Sequence, residues 1–142
     1  MNRKKLGEIG ERIAIGELAK FGIDVMLPMT DNLPFDFVVF HNNKFFKCQV
    51  KTSTKISAEG AMVFDIRSND WYAHKFHKYT KDEVDVWILC DLDNIYLLRF
   101  DENTNGNVIT LREHPTKNNQ KSGVRMANDF IISNERVKKV FT

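Results

Sequence analysis

The sequence predicts an α/β fold built on a mixed β-sheet, and three observations support this prediction. Apolar residues recur at helical spacing near the N-terminus, over residues 3–21. Short runs of β-branched and aromatic residues follow, and polar turn signals such as Asn42-Asn43 separate them. With 142 residues, the chain has the length of one domain and can bury a core without disulfides or structural metal.

One helix and a three-stranded meander are predicted for the first third of the chain. Leu6, Ile9 and Ile13 recur at helical spacing, and Gly22 follows them as a natural C-cap. Because Asn tolerates positive φ, the pair Asn42-Asn43 is expected to close a hairpin. The predicted strands are residues 23–29, 35–41 and 44–52.

The rest of the chain is predicted to consist mostly of strands and loops. Asp93 and Asn94 indicate a second tight hairpin, and Ser133 is expected to cap a final short helix through Val140. Residues 68–85 mix aromatic and basic side chains and favour no single structure, although residues 71–81 could form an amphipathic helix. The predicted strands are residues 61–67, 86–92 and 95–100, with a short strand at 108–111 in a loop over 101–123.

Composition and charge exclude several classes of protein. Lys and Arg number 21 against 19 Asp and Glu, and this net charge of +2 excludes a histone-like polycation. No signal peptide or membrane span is expected, because no long apolar segment follows the N-terminus. Cys48 and Cys90 cannot form a zinc site alone, and the histidines lack zinc-binding spacing. Two reduced thiols in a cytoplasmic protein are therefore expected.

Three polar side chains are predicted to converge on the sheet formed by the first hairpin. Gln49 and Lys51 lie on one face of their strand because side chains alternate along a strand, and the hairpin turn brings Asp36 close to them. Mg²⁺ prefers hard oxygen ligands, which a carboxylate and an amide oxygen provide. Lys51 is expected to hold an attacking water or to neutralise developing charge. The group therefore suits phosphodiester hydrolysis.

A second carboxylate is needed to balance the cation, and the first helix offers two. Glu8 and Glu11 are three residues apart and so are neighbours on one helical face. Glu11 is favoured because it lies deeper in the helix, with Glu8 as an auxiliary residue. The alternative interpretation of Asp36 and Lys51 is a surface ion pair, and that of the helix glutamates is a solvated face.

The order of these motifs resembles the PD-(D/E)XK nuclease superfamily. The motifs are Gly10-Glu11 on the first helix, Pro34-Phe35-Asp36 on one strand and Gln49-Val50-Lys51 on the next. The chain is most similar to the group I intron-encoded homing endonucleases of that superfamily, whose segment Gln-Val-Lys-Thr-Ser occurs here as residues 49–53.

The resemblance implies a restriction-endonuclease-like core, in which an αβββαβ mixed central sheet is flanked by helices. It implies Mg²⁺-dependent, sequence-specific cleavage of double-stranded DNA, with Mn²⁺ expected to substitute, by a homo-oligomer that is a dimer or a tetramer. Glu11, Asp36, Gln49 and Lys51 would be the catalytic residues, and Glu11, Asp36 and Gln49 the metal ligands. A single nuclease domain over residues 1–142, acting in intron homing, is the corresponding expectation.

Two departures from the family pattern bear on activity. Phe35 separates Pro34 from Asp36, and Gln49 stands where an acidic residue is usual, which removes one negative charge from the metal site. Gln also occurs here in the homing-endonuclease branch, so a variant active site is expected. The alternatives are a Holliday-junction resolvase or a restriction-type nuclease, and a catalytically inactive DNA-binding module.

Two segments are predicted to contact DNA, at residues 68–81 and in the region 101–142. The first interleaves aromatic and basic side chains, and the second is rich in side chains able to contact base edges. The alternatives are aromatic residues packed in the core and an ordinary polar surface loop. The predicted DNA-binding residues are Lys47, Lys55, Trp71, Tyr72, Lys75, Lys78, Arg112, Lys117, Asn119, Gln120, Lys121 and Arg125.

Overall fold

A computed structural model describes residues 1–54, 56–70, 75–102, 106–118 and 123–142 of the chain. Its main feature is a five-stranded sheet with the strand order β1-β2-β3-β7-β8. All neighbours in this sheet are antiparallel except β3 and β7, which are parallel. The elements are α1 (Arg3–Lys20), β1 (Asp24–Met26), β2 (Phe37–His41), β3 (Lys44–Thr52), β4 (Ala61–Asp65), β5 (Arg67–Asp70), β6 (Lys75–Lys78), β7 (Val86–Cys90), β8 (Ile95–Arg99), β9 (Val108–Arg112) and α2 (Asn134–Val140).

The first helix forms where the apolar spacing predicted it. The side chain of Asn2 caps its N-terminus by accepting a hydrogen bond of 2.8 Å from the Lys5 N–H. Gly22 follows the helix with φ of 71°, a conformation that favours glycine. Ala14 and Leu18 are fully buried against the sheet. The helix therefore packs on the sheet through one face that carries Gly10, Ala14 and Leu18.

The predicted hairpin between the second and third strands is confirmed. Asn42 and Asn43 both have positive φ, of 52° and 60°, and connect β2 to β3. β3 has the predicted bounds, whereas β1 is shorter than predicted and β2 begins at Phe37 instead of Phe35. Asp36 therefore lies just ahead of β2 and not within it.

The mixed sheet flanked by helices is confirmed, but the connection between β3 and β7 differs from the αβββαβ order. In the described part of this connection there is no α-helix, and the chain forms β4, β5 and β6. β5 and β6 pair as an antiparallel ribbon, so the amphipathic-helix alternative is wrong for the residues described there. An amphipathic helix would bury one apolar face against the core, whereas every side chain of β6 is exposed.

Apolar clusters cover the two faces of the central sheet. One cluster joins α1, α2 and the inward side chains of β2 and β3, including Phe37 and Val39. The other joins β4 and β9, which pair with each other, to Trp87 and Leu98 of β7 and β8. The short strand predicted near residues 108–111 is β9, and Ser133 caps α2 as expected. Neither helix in the described ranges has the length and apolar character needed to cross a membrane.

Candidate active site

The C-terminal half of β3 lines a cleft of about 480 Å³. The cleft is also lined by the N-terminal half of α1, the residue before β2, and parts of β4, β5 and β6. All four predicted catalytic residues lie in its wall, although they come from three separate elements or junctions. These residues are Glu11, Asp36, Gln49 and Lys51.

The cleft lies where β2 has not yet begun, beside the last residues of β3. The β2–β3 pairing begins at Phe37 and Cys48, so the later residues of β3 have no ladder partner on that side. Asp36 takes over this edge: its N–H donates to the Cys48 carbonyl at 2.8 Å, and its Oδ2 accepts from the Val50 N–H at 2.7 Å. The carboxyl group is thus anchored to the edge of β3, in the same cleft as Gln49 and Lys51.

Glu11 reaches the same place from α1. A side chain at Gly10 would leave a Cβ only 1.8 Å from Thr52 Oγ1, so only glycine permits the helix to approach β3 this closely. Glu8 does not line the cleft, and its carboxylate lies 3.9 Å from Lys5 Nζ. Of the two helix glutamates, Glu11 is the one that faces Asp36.

The Glu11 and Asp36 carboxyl groups perturb each other strongly. Burial, the charge of Asp36 and a hydrogen bond to Asp36 raise the pKa of Glu11 to about 7. Burial also raises the pKa of Asp36, opposed by the Val50 N–H, by Glu11 and by Lys51. Two carboxylates this close are expected to share a proton near neutral pH when no cation lies between them.

The Lys51 ammonium is held on the other side of the cleft. Its Nζ donates to the Arg67 main-chain carbonyl at 3.1 Å and lies 5.2 Å from the centre of the Tyr79 ring. Burial lowers the pKa of Lys51, and the charges of Asp36 and Asp65 oppose this effect. Because Lys51 is largely enclosed, the simple surface ion pair considered above does not describe it.

The donor set in this cleft fits a hard divalent cation. Glu11 and Asp36 supply carboxylate oxygens beside the amide of Gln49, which is only 9% exposed. Mg²⁺ takes oxygen ligands of this kind and retains several waters. Within the described ranges, no group of three or more His, Cys, Asp or Glu side chains is arranged to hold a metal ion. The fit therefore depends on two carboxylates and the Gln49 amide.

Sequence reasoning missed several residues that line this cleft or support it. Asp65 ends β4 and Arg67 begins β5, and both line the cleft together with Phe76 of β6. Tyr79, which the sequence places only in a DNA-contacting segment, packs edge-on against Trp87 with ring centres 5.5 Å apart. The strand alternation of residues 61–67 was visible in the sequence, but nothing local indicated that this strand would face β3.

The predicted DNA-binding residues that are described fall into two groups. Lys75, Lys78 and Lys117 have exposed side chains. Lys47 instead bonds to the Asp82 carbonyl, and both arginines bond to main-chain carbonyls: Arg112 to His114 and Glu59 at 3.0 Å, Arg125 to Glu102 at 2.9 Å. The other predicted DNA-binding residues lie outside the described residues: Lys55, Trp71, Tyr72, Asn119, Gln120 and Lys121.

Comparison with known proteins agrees with this geometry. The family model for the PD-(D/E)XK endonucleases matches residues 1–133. Among solved structures, the chain is similar to the bacterial homing endonuclease I-Ssp6803I, with a TM-score of 0.74 and 24% sequence identity over 92% of this chain and 89% of that one. At this identity the likeness concerns the fold. No curated protein matches the chain.

Proposed function

Because this chain belongs to the PD-(D/E)XK endonuclease family, we propose that it is a Mg²⁺-dependent, sequence-specific endonuclease that cuts double-stranded DNA. The observation that carries the proposal is the meeting of Glu11, Asp36, Gln49 and Lys51 in one cleft. Two carboxylates, an amide and a largely enclosed ammonium suit metal-assisted phosphodiester hydrolysis.

In this proposal Glu11, Asp36 and Gln49 hold the metal ion. When bound, Mg²⁺ supplies Lewis-acid stabilisation of the phosphate and orientation of a water molecule. Mn²⁺, which also accepts oxygen ligands, is expected to substitute. Burial and the charge of Asp36 raise the pKa of Glu11 because they disfavour its ionised form. A cation between the two carboxylates would offset both effects, so the pair favours cation binding.

Lys51 is proposed to act on the nucleophile or on the charge that develops at the phosphate. Its ammonium donates hydrogen bonds, and burial lowers its pKa, which eases the loss of its proton. The Arg67 carbonyl and the Tyr79 ring restrict its position. Tyr79 is thus proposed as a positioning residue for Lys51.

Recognition of duplex DNA is proposed to use the exposed basic residues around the cleft. Lys75 and Lys78 lie on the β5–β6 ribbon, whose neighbouring residue Phe76 lines the cleft. Each chain carries one such cleft, so cutting both strands favours a homo-oligomer, a dimer or a tetramer. Sedimentation analysis of the purified protein tests that part of the proposal.

The direct test is cleavage of a library of duplex fragments, with a four-way junction included, in Mg²⁺ at low salt. Wild-type protein is expected to cut discrete duplex sites, with no cutting in EDTA and cutting restored by Mn²⁺. Asp36→Ala and Lys51→Ala are expected to abolish cutting. Lys44→Ala is the matched control, because Lys44 is an exposed lysine at the far end of the same strand.

Each other outcome points to a different conclusion. Equal cutting by wild type and by folded Lys51→Ala protein would contradict the proposed role of Lys51. Cutting of the four-way junction alone would identify a resolvase. Salt-sensitive binding without cutting, with activity gained in Gln49→Glu, would identify a module whose site lost activity with its acidic residue.

A further inference from the structure

Besides Arg3 and Lys51, Arg67 is a further cation that lines the cleft beside the proposed metal site. We propose that its guanidinium binds a backbone phosphate of the DNA next to the phosphate that is cut. The inference rests on the proposed nuclease function, because it assigns another contact for the same substrate. Four observations support it: the geometry of the Asp65 pair, the Phe76 ring, the charge balance of the cleft and the link to Lys51.

The Arg67 side chain is held in one orientation by Asp65. Nε donates to Asp65 Oδ1 at 3.1 Å and Nη2 donates to Oδ2 at 3.0 Å, and the Arg67 main-chain N–H also donates to Oδ1 at 2.9 Å. This side-on fork uses two of the five N–H donors of the guanidinium. The three remaining donors, on Nη1 and Nη2, point away from Asp65.

The Phe76 ring holds the flat face of the same group. The guanidinium carbon lies 4.0 Å from the ring centre, and Phe76 is 57% exposed. A guanidinium over an aromatic face at this distance is a favourable cation–π arrangement. With one edge on Asp65 and one face on Phe76, the free edge of Arg67 is preorganised for a planar, bidentate acceptor such as a phosphate.

The charge balance of the cleft favours contact between Arg67 and the DNA backbone. Glu11, Asp36 and Asp65 put three carboxyl groups in the cleft, and the Lys51 ammonium donates to a main-chain carbonyl. That carbonyl belongs to Arg67, so one residue contacts the lysine through its main chain and would contact DNA through its side chain. A phosphate on Arg67 is therefore held at a fixed place relative to Lys51.

The test measures duplex binding as a function of salt. The probe is a labelled random-sequence duplex, with Ca²⁺ in place of Mg²⁺. Arg67→Gln is expected to weaken binding about tenfold and to reduce the slope of log affinity against log salt by about 0.9, the value for one lost phosphate contact. Arg67→Lys keeps the charge but not the fork, so it is expected to restore the slope and only part of the affinity.

Arg99→Gln is the matched control. Arg99 pairs with Asp101 two residues away, at 3.2 Å, as Arg67 pairs with Asp65, but it lines a different cavity at the other end of the sheet. It is expected to leave the slope at the wild-type value. Circular dichroism of each variant checks that the fold is retained.

The outcomes separate this inference from the proposed function. An unchanged slope in Arg67→Gln, or an equal loss in Arg99→Gln, overturns the Arg67 contact even if wild type cuts DNA. A reduced slope in Arg67→Gln alone supports the contact even if no cutting is found in Mg²⁺. Wild-type protein that binds no duplex overturns both.

Discussion

At the scale of single residues, Gln49 sets the charge of the proposed metal site. It is buried between the cleft and the sheet, beside two carboxyl groups that already repel each other. A third carboxylate would attract Mg²⁺ more strongly but would increase the repulsion when no metal is present. We therefore expect Gln49 to lower the metal affinity of the proposed site and to favour the stability of the metal-free protein.

The substitution Gln49→Glu tests this statement. We expect tighter Mg²⁺ binding by calorimetry and a lower melting temperature in EDTA, with the difference reduced when saturating Mg²⁺ is added. Asn32→Asp makes the same charge change at an exposed position and is expected to alter neither quantity appreciably. An unchanged Mg²⁺ affinity in Gln49→Glu would argue against Gln49 as a ligand.

The raised pKa of Glu11 predicts a specific pH dependence. An unfolded Glu titrates near 4.5, and the folded value is about 7, so between these values the folded state binds more protons. The metal-free protein is thus expected to lose stability as the pH rises through this range, and Mg²⁺ affinity is expected to rise because fewer protons compete. Melting in EDTA and calorimetry at about pH 6 and about pH 8 measure the two effects.

Glu11→Gln removes the titrating group and should flatten both curves. Glu8→Gln is the control on the same helix, because Glu8 does not line the cleft. If Glu11→Gln and wild-type protein show the same pH dependence of stability in EDTA, the result would contradict the raised pKa of Glu11 and its strong interaction with Asp36.

At the scale of elements, Gly10 decides how closely α1 packs on β3. Gly10→Ala brings a Cβ to 1.8 Å from Thr52 Oγ1, so the helix or the strand must move. We expect a loss of about 1–3 kcal/mol of unfolding free energy by urea denaturation, typical of overpacking. Any cleavage activity is expected to fall as well, because Glu11 moves with the helix.

Gly16→Ala is the matched control on the same helix. Gly16 is exposed and has nothing within 4 Å of the position that a Cβ would occupy. It is expected to raise stability by about 0.5–1 kcal/mol, because alanine favours a helix interior over glycine. Equal effects of the two substitutions would show that helix propensity, and not the close approach, determines the result at Gly10.

At the scale of the whole molecule, Arg136 ties the C-terminal helix to the sheet. It is 5% exposed, donates from Nε to the Leu97 carbonyl at 2.8 Å, and pairs with Glu102 at 2.7 Å. Its guanidinium also lies 4.6 Å from the centre of the Phe130 ring. These contacts link α2 to β8 and to the segment directly after β8, both of which are more than 30 residues away from Arg136 in the sequence.

Removing this cation is expected to be costly. Arg136→Met leaves the partly buried Glu102 carboxylate without its partner and should lower the unfolding free energy by about 3 kcal/mol. Lys139→Met changes the same charge at an exposed position of α2 and should have little effect. Chemical denaturation of both variants makes the comparison, and a small effect of Arg136→Met would mean that α2 is held by apolar packing alone.

Local elements of this protein were determined by the sequence itself. The bounds of β3, the Asn42-Asn43 turn and the capping of α2 by Ser133 depend on groups only a few residues apart. Backbone preferences and strand alternation act over that range, so the residue order carries them directly. The same local order also identified Glu11, Asp36, Gln49 and Lys51 as candidates.

Only the tertiary structure decided how those candidates meet. Because β2 begins only at Phe37, the last residues of β3 are unpaired on that side. Asp36 bonds to this edge at Val50, which is 14 residues away. Asp65 and Arg67 reach the cleft because the junction of β4 and β5 lies close to the end of β3, where Lys51 bonds to Arg67, 16 residues along the chain. Such contacts depend on which strands pair and where the pairing stops. No local sequence signal specifies either of these, so they are decided by long-range packing.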